Sequence, residues 1–383
     1  MGTPAEYAVP FSDTIQIETD EEKASSQFFA MDTVMGVTVY GEDAAEAVKR
    51  TADRIRDLEN VFSVESGSSE LHHLNEAGKA ACSEDLLRAV SLSQQFYEDT
   101  NGLFNIALYP LKKAWGFADQ NFRIPEEEEI RTLLSLADPM QAEIVSDAEN
   151  DASAGTGTAS ESFALSESES TPESLAGSGI VYHLNGLQLD LGGMAKGYTA
   201  DEAAKDLRKA KGVTGALLSL GGNIMLIGQK PDQKPWRVGI LDPEGEQDYI
   251  ALLAFEPAAS SNDGLWAMSV VTSGGYMRYF EQDGKRYHHI LDPRTGKPAE
   301  SDIVSATIVS SDSALADAMS TTAFILGLKD AAEFWRECPY EFGMVLLDTE
   351  GVMHVTEELA GVLTTDCPLE VIRGRTAKRQ AQT

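Results

Sequence analysis

The spacing of apolar residues predicts a chain of mixed strands and helices. Phe28 to Gly41 (FFAMDTVMGVTVYG) is apolar and rich in β-branched residues, the signature of a strand that ends at Gly41. From Glu42 the period changes, and Val48, Ala52, Ile55, Leu58 and Phe62 recur at intervals of three and four along one helix face. A second helix is predicted from Ser83, a good N-cap, to Asp99, with Leu86, Leu87, Val90 and Tyr97 turned inward. Gly102 then interrupts the chain, and Leu103 to Leu111 continues as an apolar segment. Further on, HLNGLQLDL suggests a short hairpin about Asn185-Gly186 followed by a glycine-rich turn. Thr199 to Lys211 reads as a helix stopped by Gly212. Strands are predicted near 216–227, 236–241, 267–272, 287–291 and 303–309, and a helix from Asp312 to Gly327. Strands and helices mix without regular alternation, which indicates an α+β fold of mixed antiparallel sheets packed with helices.

Composition changes this picture in one region. The chain has 383 residues and a formal net charge of -32, from 62 acidic against 30 basic side chains. Between Arg131 and Lys196 there is no Lys or Arg, and 141–178 is built almost entirely of Ser, Ala, Glu, Asp, Gly and Thr. Such a segment cannot bury enough apolar surface to offset its ordering entropy, so a disordered acidic insertion is expected there. The polar residues 1–26 and 371–383 are expected to be a flexible tether and tail around a main domain spanning 27–370. So negative a chain repels nucleic acid and anionic membranes, and any site for an anionic ligand needs a local cation. Cys82, Cys338 and Cys367 have neither a disulfide nor a metal-site spacing. No run of 18 apolar residues occurs, and no basic and apolar leader opens the sequence.

Three stretches carry residues suited to chemistry. In LDLGGMAKGYTAD, Gly192 and Gly193 permit close backbone approach, and Lys196 stands just before a predicted helix N-terminus, an arrangement for a phosphate. Neither a Walker A loop nor a GxGxxG fingerprint is present. In SALADAMSTT, Asp317 and Thr321 are four apart on a helix and share a face, and their hard oxygens suit Mg²⁺. In VVTSGGYMRYFEQDGKRYHHILDPRTG, residues 272–275 form a small polar turn at a strand end, and His288 and His289 precede a predicted strand. Adjacent residues of a strand face opposite sides, so at most one histidine enters a site. Each stretch alone is as well explained by an ordinary turn or solvated helix face.

Taken together, MDTVMG, SSELHHLN, TNGLFN, DLGGMAKGYTAD, SLGGNI, TSGGYMRYF, HHILDPRTG and ALADAMSTT occur in the order found in ApbE-type FAD:protein FMN transferases, which the chain resembles from about Phe28 to Thr365. The resemblance implies a T-fold-related architecture of two subdomains. It implies a Mg²⁺-dependent transfer of FMN from FAD to a Thr or Ser of an acceptor flavoprotein carrying a Ser/Thr-Gly-Ala-Ser/Thr motif, with release of AMP. Asp317, Thr321 and the main chain at Gly193 would hold the metal, and Asp317 and His289 would serve catalysis. Contacts to FAD would fall at Met35, Leu103, Phe104, Asn105, Asp190, Lys196 and Leu291. Relatives often carry Asp at the position of Asn105, sometimes an aromatic near Val64, and in some cases a second Asp at Ser320. Such proteins work outside the cytoplasmic membrane, often as lipoproteins. The same is expected here, with a signal outside this sequence, and a cytoplasmic place stays open. Two other readings use the same residues: an FAD pyrophosphatase giving FMN and AMP, and a protein that binds FAD without turnover.

Overall fold

A computed structural model describes residues 15–20, 22–146, 178–258 and 264–374. Its centre is a sheet of ten strands whose spatial order is their order in the chain. These are β1 (Glu18–Thr19), β2 (Lys23–Ala30), β3 (Thr33–Gly41), β4 (Val213–Leu220), β5 (Asn223–Gly228), β6 (Ala267–Gly274), β7 (Ile303–Ser310), β8 (Gly343–Asp348), β9 (Met353–Thr356) and β10 (Leu369–Ile372). Neighbours pair antiparallel up to β9, and β10 lies parallel to β9. Seven helices are described: α1 (Ala44–Phe62), α2 (Glu70–Ala77), α3 (Glu84–Asp99), α4 (Tyr109–Ala114), α5 (Glu127–Leu134), α6 (Ala195–Lys209) and α7 (Ser313–Glu337). The α+β expectation holds.

Strand alternation sorts the sheet's side chains into two cores. Met35, Val37, Val39, Ala216, Leu218 and Met225 pack against α1 and α6 on one face. On the other, Leu226, Val270, Val309, Val345 and Val355 meet a three-stranded sheet formed by Trp236–Ile240, Ala251–Phe255 and Leu363–Thr365. A third core joins α2, α3 and α7 to the segments 103–107 and 187–198. Beside it, the strands Lys79–Ala81, Ser178–Tyr182 and Ala142–Ser146 form a small sheet. The last two are antiparallel partners with Ser146 opposite Ser178, so the flanks of the acidic run are brought together. Of the disorder expected over 141–178, the two ends are instead strand, 142–146 and from 178 on, and 147–177 lie outside the described residues.

Several boundaries differ from the sequence reading, each for a local reason. The single strand expected over 28–41 is a hairpin, because Met31 and Asp32 adopt φ of 48° and 60° in a two-residue turn. Its first arm begins at Lys23, inside the stretch expected to be a loose tether. The strand expected over 216–227 is likewise β4 and β5, reversed at Gly221 and Gly222, which have φ of 58° and 91°. No hairpin forms about Asn185-Gly186; residues 183–186 make a turn and 187–191 have no regular secondary structure and no strand partner. In α3 the inward aromatic is Phe96 rather than Tyr97, which stays half-buried. Helix α7 continues past Gly327 through a break where that residue has φ 76°.

The contact between α6 and α7 sets the geometry of everything that follows. A Cβ added to Gly197 would lie 2.3 Å from the Ser313 carbonyl oxygen and 2.8 Å from Ala314 Cα, both of them backbone atoms. Gly197→Ala should therefore push the helices apart and lower stability by about 1–3 kcal/mol, the usual range for overpacking a rigid contact. Equilibrium denaturation would show this as a shifted midpoint, and an unchanged midpoint would mean that the two helices are free to separate.

Candidate active site

One cleft gathers residues from distant parts of the chain. It encloses about 170 Å³ and is lined by Leu103, Phe104 and Asn105, by Asp190, Gly193 and Lys196, by Gly221 and Gly222, by His289 and Leu291, and by Asp317 and Thr321. Sequence reasoning named most of these, and the fold brings them together. Met35 is the exception. Its side chain is 0% exposed and packs in the core that contains α1, outside the lining of this cleft. Lys196 needs correction, since α6 begins at Ala195 and the lysine lies in its first turn.

Asp317 is the most buried carboxylate of the cleft, at 5% exposure. Its Oδ2 accepts the Gly197 N–H at 2.9 Å. Burial holds its pKa above the usual carboxylate range, and the Lys196 ammonium and that N–H act against the rise. Thr321 stands one turn further along α7. The hydroxyls around it form a directed chain. Ser320 donates to the Asp317 carbonyl at 2.8 Å, so its oxygen is free to accept from Ser273 at 2.7 Å. Ser273 can in turn accept from Thr321 at 3.4 Å, leaving lone pairs of the Thr321 oxygen free. A hydroxyl so arranged suits a cation. Ser320 itself lies outside the cleft lining.

Opposite, Asp190 is ion-paired with Lys112 of α4. Its Oδ1 accepts the Gly192 N–H at 2.7 Å, and its own N–H donates to the Ile106 carbonyl at 2.7 Å. Burial alone would raise this carboxyl, but Lys112, the Gly192 N–H and Lys196 outweigh it and hold it below the ordinary value. Lys112 escaped the sequence reading. Its one signal is the basic pair Lys112-Lys113 in a strongly acidic chain. Asn105 spends its amide within the protein: Nδ2 donates to the Ala137 carbonyl at 2.9 Å and Oδ1 accepts the Ala107 N–H at 2.7 Å. An aspartate could not make the first of these bonds.

The two histidines separate, but not by strand alternation: the strand expected over 287–291 is broken, Lys285–His288 ending before His289, which sits in a bend ahead of Leu291–Asp292. His288 bonds through Nε2 to the Ala299 carbonyl at 3.0 Å and meets Phe324 edge-on at 5.3 Å. His289 lines the cleft. Its Nδ1 lies 3.1 Å from the Arg278 carbonyl, which can only accept, so Nδ1 carries the hydrogen and Nε2 is the basic nitrogen. Burial first, and then the Lys112 and Arg278 cations, push its pKa down to about 3.

A family profile described as ApbE family matches residues 31–345. The chain belongs to the ApbE family. It is 33% identical over 323 residues to a FAD:protein FMN transferase of Treponema pallidum, covering 80% of each sequence. A FAD:protein FMN transferase of Klebsiella pneumoniae is 30% identical over 299 residues, with 78% of this chain and 80% of that one covered. Among solved structures, the ApbE protein of Thermotoga maritima superposes with a TM-score of 0.71 at 25% identity, over 91% of this chain and 99% of that one. The apo flavinyl transferase ApbE of Pseudomonas stutzeri gives 0.69 at 23% identity, over 91% and 97%. The fold of the ApbE family is thus shared over nearly the whole described chain.

Proposed function

We propose that this protein moves FMN from FAD to a Thr or Ser hydroxyl of an acceptor protein in a Mg²⁺-dependent reaction that releases AMP. The observation that carries the reading is the convergence of Asp317, Thr321, Lys196, Lys112 and His289 on one cleft of an ApbE-family fold. Relatives over four-fifths of the chain bear the name FAD:protein FMN transferase.

The donor set fits a small hard cation. Among the described residues no three His, Cys, Asp or Glu side chains cluster as a metal site. The cleft offers instead one buried carboxylate, a hydroxyl with free lone pairs and the Gly193 main chain, which leaves coordination positions for water and phosphate, as Mg²⁺ prefers. A bound Mg²⁺ would neutralise charge that builds on the phosphoryl oxygens.

The protein's own groups then do the rest. Lys112 and Lys196 offset the charge of a pyrophosphate inside a chain of net charge -32. His289, neutral and basic at Nε2, takes the proton of the acceptor hydroxyl. The hydroxyl oxygen bonds to the FMN-side phosphorus while the bond from that phosphorus to the bridging oxygen breaks, and AMP departs with that oxygen. Positioning and electrostatics supply most of the acceleration in such transfers. Among the described residues no helix is long and apolar enough to cross a membrane; placement outside the cytoplasmic membrane is part of this proposal.

The test is an intact mass. With FAD, Mg²⁺ and an acceptor domain bearing a Ser/Thr-Gly-Ala-Thr motif, the acceptor should gain one FMN, and EDTA should prevent it. Free FMN and AMP appearing while several acceptors keep their mass would replace the transferase reading with a pyrophosphatase.

A further inference from the structure

Residues 187–191 run through the cleft wall without a strand partner, yet the backbone at Leu189 is fully bonded. The partner is one side chain. Asn75, on α2 and 114 positions away, donates from Nδ2 to the Leu189 carbonyl at 2.8 Å and accepts the Leu189 N–H on Oδ1 at 2.8 Å. This amide stands where a neighbouring strand would be. The orientation is fixed by chemistry, since a carbonyl only accepts and an N–H only donates. The Tyr182 hydroxyl donates to the same Oδ1 at 2.8 Å, a third bond that is not made to Leu189. On its next residue the segment is tied to the opposite side, where Asp190 N–H reaches the Ile106 carbonyl at 2.7 Å. Asp190, Ile106, Gly192 and Gly193 all line the cleft.

We infer that Asn75 is a positioning residue for the nucleotide cleft: its amide fixes the register of the Leu189–Gly193 segment and so aims Asp190 and the Gly192-Gly193 backbone at the ligand. The inference rests on the reading of the cleft as the FAD site. Asn75 does not line the cleft, so it acts only through the segment it holds. The Asp190–Lys112 pair depends on that register. A segment released at Leu189 keeps its tie at Ile106 but gains freedom at Gly192 and Gly193, whose backbone has no side chain to limit it.

Asn75→Asp keeps the shape and the acceptor toward Leu189 N–H and Tyr182, and loses the donor to the Leu189 carbonyl. The affinity for FAD alone, read by flavin fluorescence, should fall about tenfold, as expected for a buried acceptor left unsatisfied. In Mg²⁺-dependent turnover, KM for FAD should rise by the same factor with kcat within about threefold, a split that general softening of the fold would not give. Asn75→Ala should behave alike. Tyr182→Phe removes one buried hydrogen bond without touching Leu189 and should leave FAD affinity within about threefold of wild type. Wild-type affinity in a folded Asn75→Asp, a fall in kcat at constant KM, or an equal loss of affinity in Tyr182→Phe would each overturn the assignment. Because binding is read without an acceptor, a protein that binds FAD but transfers nothing sinks the transferase reading while the affinities still decide the role of Asn75.

Discussion

Asp317→Asn should lose at least about a thousandfold in kcat/KM for FMN transfer, the scale on which a principal electrostatic group of a phosphoryl-transfer site acts. The substitution is chosen to spare the fold. The asparagine Oδ1 can occupy the place of Oδ2 and go on accepting the Gly197 N–H, which lies 2.9 Å from the carboxylate. What changes is the atom turned to the cleft, where an amide N–H₂ would replace a carboxylate oxygen and repel a cation. Thr321 cannot compensate, because a neutral hydroxyl binds a divalent ion far more weakly than a carboxylate does.

A second readout separates the metal from the chemistry. Addition of Mg²⁺ should raise the thermal midpoint of the wild type, because a ligand that binds only the folded state stabilises it by mass action. It should leave the Asp317→Asn midpoint where it was. In the absence of metal the variant should unfold at or above the wild-type temperature, since the buried carboxylate is held above its ordinary pKa by desolvation. A variant that keeps both the Mg²⁺ shift and transfer within tenfold of wild type would remove Asp317 from the metal site.

How far the sequence could be read depended on the range of the interaction. Local rules found two of the helix starts: Ser83 does cap α3 through the Leu86 N–H at 3.4 Å, and Asp312 caps α7 through the Leu315 N–H at 2.8 Å. The two-residue turns escape the same rules for different reasons: Met31 gives no sign of a positive φ and lies in an unbroken apolar run, whereas Gly221-Gly222 is a pair that favours such a turn inside a stretch that reads through as strand. The cleft was legible where chemistry and chain position coincide, as at Asp317 and Thr321 on one helix face. Lys112 and Asn75 were invisible, because their partners Asp190 and Leu189 are 78 and 114 residues away. Met35 is named by position alone, and the pleat of β3 places its side chain in the core with α1 rather than in the cleft lining.

His289→Gln should lower kcat about 10²- to 10⁴-fold, the range for loss of a positioned general base, with KM for FAD little changed. Gln can still donate toward the Arg278 carbonyl, which lies 3.1 Å from Nδ1, but it cannot take a proton. The pH dependence discriminates further. A base must be unprotonated to act, and burial together with Lys112 and Arg278 holds the pKa of His289 at about 3, so kcat/KM should show no acid limb at the ordinary histidine value. In the complex the negative pyrophosphate offsets those two cations. The limb of kcat, which reports the bound enzyme, should therefore lie at higher pH than that of kcat/KM, which reports the free one. Stability follows with a definite sign. The unfolded chain binds a proton at this histidine near pH 6.5 and the folded chain only near 3, so the native state loses stability as pH falls between those values. His289→Gln should remove that part of the acid destabilisation, flattening the plot of thermal midpoint against pH. A limb near pH 6.5 that survives in the variant would assign the base to another group, and His289 would then be left to orient the phosphate.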